Sequence, residues 1–270
     1  MRISIGHVSR YSYAEPASYT IQALRLTPPV FTGQKIIEWS ISAPGFETST
    51  RFRDCFGNEA HLVSHTGLHS EVLIIAKGVV DTSDQAGIVR GLADTTHVRV
   101  FLRETDTTRP DDAIRDLAFR PTAAGDLDRL HSLMHEVRRA VEYRTGTTGE
   151  HTSAAASLAD GQGVCQDHAH IFISCARVLG YPARYVNGYF LSGGDEPAEA
   201  HHAWAETWIE NIGWVGFDPA NLICPTDHYV RLATGLDSAS AAPIRGTRRG
   251  GANEALDVIV EVQQQNNQQQ

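Results

Sequence analysis

The stretch Gly161-Gln-Gly-Val-Cys165-Gln-Asp-His-Ala-His170 decides the fold, because it delivers a cysteine to the first turn of a helix. From Cys165 onward, apolar residues recur every three or four positions, as on one buried helix face; they are Ala169, Phe172, Ile173, Ala176 and Leu179. Gly180 and Pro182 end this helix, since glycine favours the C-terminal cap and proline prevents its resumption. Unpaired N–H groups and the dipole at a helix start favour a thiolate over a thiol. The stretch therefore predicts a nucleophilic Cys165.

A base for this thiol is expected from two segments farther along the chain. Residues 201–209 alternate like a strand, and residues 214–218 have the pattern of a returning strand. A three-residue loop at 210–212 makes His202 the diagonal neighbour of Asp218, on one face of the sheet. Cys165, His202 and Asp218 are thus the candidate nucleophile, general base and orienting carboxylate.

With these motifs, the chain resembles bacterial transglutaminase-like proteins of the papain-like cysteine hydrolase superfamily. The resemblance rests on four segments in the expected order: Gly163-Val-Cys165-Gln-Asp-His168, Leu179-Gly-Tyr-Pro-Ala-Arg184 followed by Gly188-Tyr189, His202-Ala-Trp204-Ala-Glu206, and Gly213-Trp-Val-Gly-Phe-Asp218-Pro219. It implies an α+β fold in which a helix bearing the cysteine packs on an antiparallel sheet. It also implies that Cys165 attacks a carboxamide, that His202 moves the proton and that Asp218 holds the imidazole.

The chain is expected to divide into three parts. Residues 1–85 show short strand patterns separated by turns and resemble the N-terminal β domain of this family, with Tyr11-Ser-Tyr13, Leu26-Thr-Pro28 and Asp54-Cys-Phe-Gly-Asn58 as the matching segments. Residues 86–262 form the predicted transglutaminase-like catalytic domain. Residues 263–270 contain only Gln and Asn and are predicted to be a disordered polar tail.

Within the catalytic part, local patterns predict two further helices. Apolar residues mark one face of a helix over residues 126–143, and Thr152 is predicted to cap a short helix that ends at Leu158. Residues 86–125 show little periodicity and predict no regular element.

Composition limits the class of protein. With 270 residues, of which 41% are hydrophobic and 20% charged, the chain can bury a substantial core in two compact units. A net charge of -9 without a basic stripe argues against a nucleic-acid partner. Without a leader or an apolar run of the ~20 residues that span a membrane, the chain is expected to be cytoplasmic, with no membrane partner. A peptide or protein substrate is the expected partner, and the oligomeric state stays open.

Several side chains are candidates for secondary roles at the site. The backbone N–H of Cys165 is the first candidate for binding an oxyanion, with the side chains of Gln162 or Gln166 as further donors. Trp204, which the predicted register sets opposite Asp218, is a candidate wall of the cleft. Two other expectations concern polar residues: His201 is structural or solvent-facing, and Arg184 either pairs with a buried carboxylate such as Asp167 or is exposed.

Two other classes of function use the same residues. Cys165, His168 and His170 with His201 or His202 suggest a zinc site, but residues at i, i+3 and i+5 of a helix do not converge on one ion. A binding module that keeps the fold without catalysis is disfavoured, because packing does not require a cysteine, a histidine and an aspartate together. We therefore expect an enzyme with no metal and no other cofactor.

The acyl acceptor distinguishes the two enzymatic alternatives. Water would make the protein a cysteine protease or amidase, and a primary amine would make it a transglutaminase. Bacterial relatives of this layout resemble hydrolases more often than cross-linking enzymes. The animal cross-linking enzymes place an oxyanion-stabilising Trp before the cysteine, whereas no Trp lies between Trp39 and Trp204, and no acidic cluster suited to calcium is present. Hydrolysis is the expected reaction, with transfer to an amine as the alternative.

Overall fold

The computed structural model describes residues 1–93, 95–192 and 201–265, which form two large β-sheets with helices packed on the second. The first part of the chain supplies four strands: β1 (Arg2–Leu24), β2 (Gln34–Ser42), β3 (Thr50–Arg53) and β4 (Glu59–Thr82). A short 3-10 helix, Phe46–Thr48, lies between β2 and β3.

The second part of the chain contains the helices α1 (Asp112–Ala118), α2 (Asp126–Ala140), α3 (Ala154–Asp160) and α4 (Cys165–Val178), and a 3-10 helix, Val98–Leu102. Its strands are β5 (Ile88–Val89), β6 (Glu142–Tyr143), β7 (Gln162–Gly163), β8 (Ala183–Phe190), β9 (His201–Ile209), β10 (Gly213–Phe217), β11 (Tyr229–Gly235), β12 (Ile244–Gly250) and β13 (Glu254–Gln264). None of the described helices has both the length and the apolar composition needed to span a membrane.

The first sheet is organised on β1, which pairs antiparallel with β4 over most of its length. Side chains of β1 alternate between buried and less buried positions, as the two-residue period of a strand requires when one face is covered. Ile3, Ile5 and Leu24 pack with Ile74 of β4 in one hydrophobic core. Predicted strand segments near both ends of β1 are therefore parts of one long strand.

Two C-terminal strands complete the first sheet. β12 pairs with Ala17–Leu24 of β1, and β13 pairs with Ile3–Tyr13 of the same strand. The prediction that residues 86–262 form one catalytic unit is therefore wrong at its C-terminal end. The physical reason is that β1 presents a second row of backbone N–H and C=O groups, which only strands distant in sequence satisfy.

The predicted polar tail, residues 263–270, begins inside β13. Gln263 pairs with Ser4, Gln264 pairs with Ile3, and the N–H of Gln265 donates to the Arg2 carbonyl at 2.9 Å. Polar side chains do not prevent these backbone hydrogen bonds, so the prediction of disorder is wrong for the first residues of this segment. Residues 266–270 lie outside the described residues.

The second sheet has the strand order β11-β8-β9-β10-β5. Ala205 of β9 pairs with Phe217 of β10, which is the predicted register, and residues 210–212 form the predicted loop. α4 packs across β8 and β9 and brings the ring of Phe172 to 5.2 Å from that of Phe217. The predicted α+β fold, with an N-terminal β domain and a cysteine-bearing helix on an antiparallel sheet, is confirmed.

Helix boundaries differ from the predicted ones where neighbouring strands take over the chain. α2 ends at Ala140 instead of Tyr143, because Tyr143 belongs to β6, which pairs with β7. α1 was not predicted; it begins where Asp111 accepts a hydrogen bond from the N–H of Ile114 at 2.9 Å.

A buried ion cluster stabilises the second sheet. Glu206 of β9 accepts hydrogen bonds from Nε of Arg184 at 2.6 Å and from Nε of Arg231 at 2.9 Å. The Arg184 guanidinium also lies 3.9 Å from the ring centre of Trp214. Burial raises the pKa of Glu206, but the two guanidinium groups outweigh burial and lower it. The expectation that Arg184 pairs with a buried carboxylate is correct, but the partner is Glu206, directly opposite on the next strand, and not Asp167; the alternative of exposure is wrong.

Replacing Glu206 with glutamine should lower the free energy of unfolding by about 3–5 kcal/mol, because two buried guanidinium groups would lose their counter-charge. Since the pKa of Glu206 is lowered in the folded state, its contribution is present above the unfolded value of ~4.3 and is lost as pH falls through the folded pKa. Urea unfolding at neutral pH measures the loss. Glu71→Gln, at the exposed Arg10–Glu71 pair, is the control and should cost no more than about 1 kcal/mol. Equal losses in the two variants would contradict the assignment.

Candidate active site

Cys165 is the first residue of α4, and the turn before it is tightly held. A Cβ atom at Gly163 would lie 2.7 Å from the Cβ of Asp167, so only glycine fits this approach. Asp167 accepts hydrogen bonds from the N–H of Val164 at 2.8 Å and from Oγ1 of Thr148 at 2.6 Å. The carboxylate therefore caps the N-terminus of α4. Cys165, in the same first turn, lines a cleft.

His202 at the start of β9 contacts both other members of the predicted set. Its Nε2 lies 2.7 Å from Oδ2 of Asp218, and it lines the same cleft as Cys165, whose side chain is near enough to influence the imidazole. Because Asp218 occupies Nε2, Nδ1 is the ring nitrogen left for the thiol. Burial lowers the pKa of His202, but hydrogen bonds and charges from Asp218 and Cys165 outweigh burial and raise it to about 10. The structure thus brings Cys165, His202 and Asp218 together as predicted from the sequence.

Asp218 is fully buried, and its carboxylate oxygens accept hydrogen bonds from several groups besides His202. Oδ2 accepts hydrogen bonds from the Tyr229 hydroxyl at 2.7 Å and from Nδ2 of Asn221 at 2.8 Å, and Oδ1 accepts one from the N–H of Ala220 at 3.0 Å. Burial raises the pKa of Asp218, but these bonds and His202 outweigh burial and lower it. The carboxylate therefore stays ionised beside the imidazole.

Sequence reasoning missed Asn221 and Tyr229. Asn221 had a local signal, because Asp218-Pro-Ala-Asn221 is typical of a turn in which an aspartate side chain binds backbone N–H groups two and three residues later. Tyr229 had none, because it starts β11 and reaches Asp218 only through the folded sheet.

A cleft of about 730 Å³ lies in front of Cys165, between the two sheets. Cys165 and neighbouring residues of α4, β8 and β9 form one side. The facing wall is one face of the first sheet, where paired residues of β1 and β13 lie side by side: His7 with Val260, Ser9 with Val258, and Tyr11 with Leu256. The cleft therefore needs both the N-terminal and the C-terminal strands.

The two glutamine candidates lie in different places. Gln162, on β7, accepts a hydrogen bond from Arg144 at 3.2 Å and does not line the cleft. Gln166 lines the cleft, and its Nε2 lies 3.4 Å from the carbonyl oxygens of Gly149 and Glu150. Of the two, only Gln166 faces the space in which a substrate would bind.

Trp204 does not wall the cleft, so this prediction is wrong. Its ring packs on that of Tyr229, with centroids 5.4 Å apart, and faces a separate cavity of about 50 Å³. Gly188 on the neighbouring strand makes room for the indole, because a Cβ atom there would lie 2.7 Å from Cη2 of Trp204. The indole therefore lies beside the His202 ring, on the same face of β9, and lines the separate cavity instead of the cleft.

The other histidines considered as zinc ligands make separate contacts. The ring of His168 contacts the carbonyl oxygens of Val164 and Val141, and Nε2 of His170 accepts a hydrogen bond from the N–H of Ser238. His201 lines the cleft, where burial lowers its pKa to about 4. Within residues 1–93, 95–192 and 201–265, no three His, Cys, Asp or Glu side chains converge as metal ligands.

Two sequence families match the chain. The bacterial transglutaminase-like N-terminal region matches residues 3–81, and the transglutaminase-like superfamily core matches residues 115–219. An uncharacterized protein of Mycobacterium leprae is 29% identical over 97% of this chain and 98% of its own length. A protein-glutamine gamma-glutamyltransferase of Pseudomonas aeruginosa is 34% identical over 88 residues, which are 29% of this chain and 12% of that protein.

A solved structure with the same fold is that of a candidate cysteine protease from Cytophaga hutchinsonii. It superposes with a TM-score of 0.76 at 23% identity and covers 97% of this chain and 90% of its own chain. The likeness extends over both sheets, so the pairing of an N-terminal β domain with a transglutaminase-like core is shared.

Alkylation of Cys165 should stay fast well below pH ~8.5, where a free thiol ionises, because His202 pairs with the thiolate as an imidazolium. In Asp218→Asn the pKa of His202 should fall, because burial lowers it and the carboxylate that raises it is absent. The pH profile of the alkylation rate should then shift toward that of an ordinary thiol. Rates are followed by mass spectrometry of the peptide that contains Cys165. The exposed Cys55 in the same chain is the reference thiol. Identical profiles for Cys165 and Cys55 would exclude the ion pair.

Proposed function

Because the chain belongs to the transglutaminase-like superfamily and carries its bacterial N-terminal region, we propose that it is a cysteine-dependent hydrolase of peptide or side-chain amide bonds. The observation that supports this most directly is the arrangement of Cys165 beside His202 in the cleft, with His202 hydrogen-bonded to the buried Asp218. A nucleophile, a base and an orienting carboxylate in contact are the parts that acyl transfer through a thioester requires.

In the acylation step, the Cys165 thiolate attacks the carbonyl carbon of the amide, and the C=O electron pair moves onto oxygen. The backbone N–H of Cys165 at the helix start is the proposed donor to this oxyanion. The oxyanion then reforms the carbonyl as the C–N bond breaks, and the His202 imidazolium gives its proton to the leaving nitrogen. Ammonia or an amine leaves, and the acyl group stays on sulfur as a thioester.

In the deacylation step, neutral His202 takes a proton from water, and the oxygen attacks the thioester carbonyl. The C–S bond breaks, the carboxylic acid leaves, and the thiolate–imidazolium pair is restored. Asp218 keeps its charge throughout and stabilises the imidazolium through Nε2.

The shape of the cleft favours water as the acceptor. Glu150 and His151 line it with side chains that are 84% and 89% exposed, so this part of the cleft is open to bulk water. Trp204, the candidate wall of the cleft, lies beside His202 but lines a separate cavity and not the cleft itself. Transfer to an amine in competition with water needs a site that excludes water.

A transglutaminase reaction is the alternative function. It is supported by the stretch of 34% identity to the Pseudomonas aeruginosa protein-glutamine gamma-glutamyltransferase. The acylation step would be unchanged, and a primary amine would replace water in the second step.

Cys165→Ala and Cys165→Ser should abolish turnover of an amide substrate and leave the melting curve unchanged, because the thiol lies in the first turn of α4, where it lines the cleft. Cys55→Ala, which removes an exposed thiol, is the control and should keep full activity. Asp218→Asn should reduce turnover by orders of magnitude, since the imidazole loses its orienting charge. Residual turnover in both Cys165 variants would exclude the cysteine mechanism.

Incubation of a peptide amide with excess labelled primary amine distinguishes the two acceptors. We expect release of ammonia or new peptide termini without incorporation of label, because water has free access to the thioester. Both products are measured in the same sample by mass spectrometry. Incorporation that outruns hydrolysis would make the protein a cross-linking enzyme.

A further inference from the structure

Asn187 carries an unused hydrogen-bond acceptor at the cleft. It lies on β8 opposite Ala203, next to the pair formed by Gly188 and His202. The residue is 5% exposed and lines the cleft, and its Oδ1 has no hydrogen-bond partner among the described residues. An unsatisfied buried acceptor costs about 1–3 kcal/mol, so most are paired in folded proteins. Oδ1 itself has almost no accessible surface, so it meets a ligand N–H group when the carboxamide turns toward the cleft, and that contact would remove this cost.

The β13 part of the wall across the cleft is apolar. Leu256 and Val258 of β13 lie there with 53% and 45% of their surface exposed. Burial lowers the pKa of His7 to about 3 and that of His201 to about 4, so both rings beside this wall are neutral at neutral pH. An aliphatic side chain bound against Leu256 and Val258 would cover surface that is otherwise in contact with water.

We propose that Asn187 and the wall of Leu256 and Val258 form the acyl-donor subsite for a neutral peptide with an aliphatic residue beside the reacting amide. Oδ1 of Asn187 accepts an N–H of the peptide, and the aliphatic side chain packs on Leu256 and Val258. The inference rests on the proposed function, because it places the acyl group at Cys165. An acidic residue in the same position would place a carboxylate on an apolar surface, where it loses hydration without gaining a partner.

The test uses reagents that label Cys165 without turnover. Acetyl-alanyl-leucyl chloromethyl ketone and its aspartyl analogue report the subsite, and iodoacetamide reports the thiol alone. The wild-type protein should react faster with the leucyl reagent than with the aspartyl one. Asn187→Leu, an apolar side chain of similar size, should slow the leucyl reagent about tenfold, as expected for one lost hydrogen bond of ~1.4 kcal/mol. Iodoacetamide should react at an unchanged rate. Asn187→Ala is the second variant if leucine disturbs folding.

The wall is tested with Val258→Asp, which should abolish the preference for the leucyl reagent. Val30→Asp, at an exposed valine outside the cleft, is the matched control and should retain it. If the Asn187 variants react with the leucyl reagent at the wild-type rate, the proposal is overturned. It is also overturned if these variants react more slowly by the same factor with the leucyl reagent and with iodoacetamide, because Asn187 would then affect the thiol itself. Labelling needs no hydrolysis, so a wild-type protein without amidase activity would contradict the proposed function and leave this test valid.

Discussion

The buried carboxylate of Asp218 is the constraint on which the site depends. A charge without water must be paired and hydrogen-bonded, or burial favours its protonation. Asp218 meets this requirement with groups from three places in the chain: the imidazole of β9, the turn at Ala220 and Asn221, and the hydroxyl of Tyr229 at the start of β11. The register of β9 against β10 and the path of the chain into β11 are therefore coupled to the orientation of one histidine ring.

The cleft depends on a second, nonlocal constraint. One of its sides belongs to α4 and the second sheet, but the facing wall consists of β1 and β13, the first and last strands of the described chain. This wall exists only after the two ends of the chain have paired. The N-terminal domain thus supplies part of the cleft lining, and its sheet is completed by strands that follow the transglutaminase-like core in sequence.

Features that depend on short-range interactions could be predicted from the sequence, and features that depend on long-range contacts could not. Cys165 at a helix start and the register of His202 against Asp218 depend on residues a few positions apart, so periodicity and turn length predict them. The partner of Arg184, the position of the Trp204 ring and the pairing of β13 depend on which strand lies beside which. Local pattern does not contain that information. Asn187 escaped notice for the same reason, because an unpaired acceptor is recognised only when all of its neighbours are known.

Three histidines at this cleft show how the protein sets charge by position. All three rings are largely removed from water, and burial by itself lowers the pKa of an imidazole. No carboxylate of the described residues pairs with His7 or His201, and their pKa values fall to about 3 and about 4. His202 differs in its contacts with Asp218 and Cys165, and its pKa rises to about 10. The cationic ring of the three is therefore the one beside Asp218 and Cys165, and His7 on the opposite wall is neutral at neutral pH.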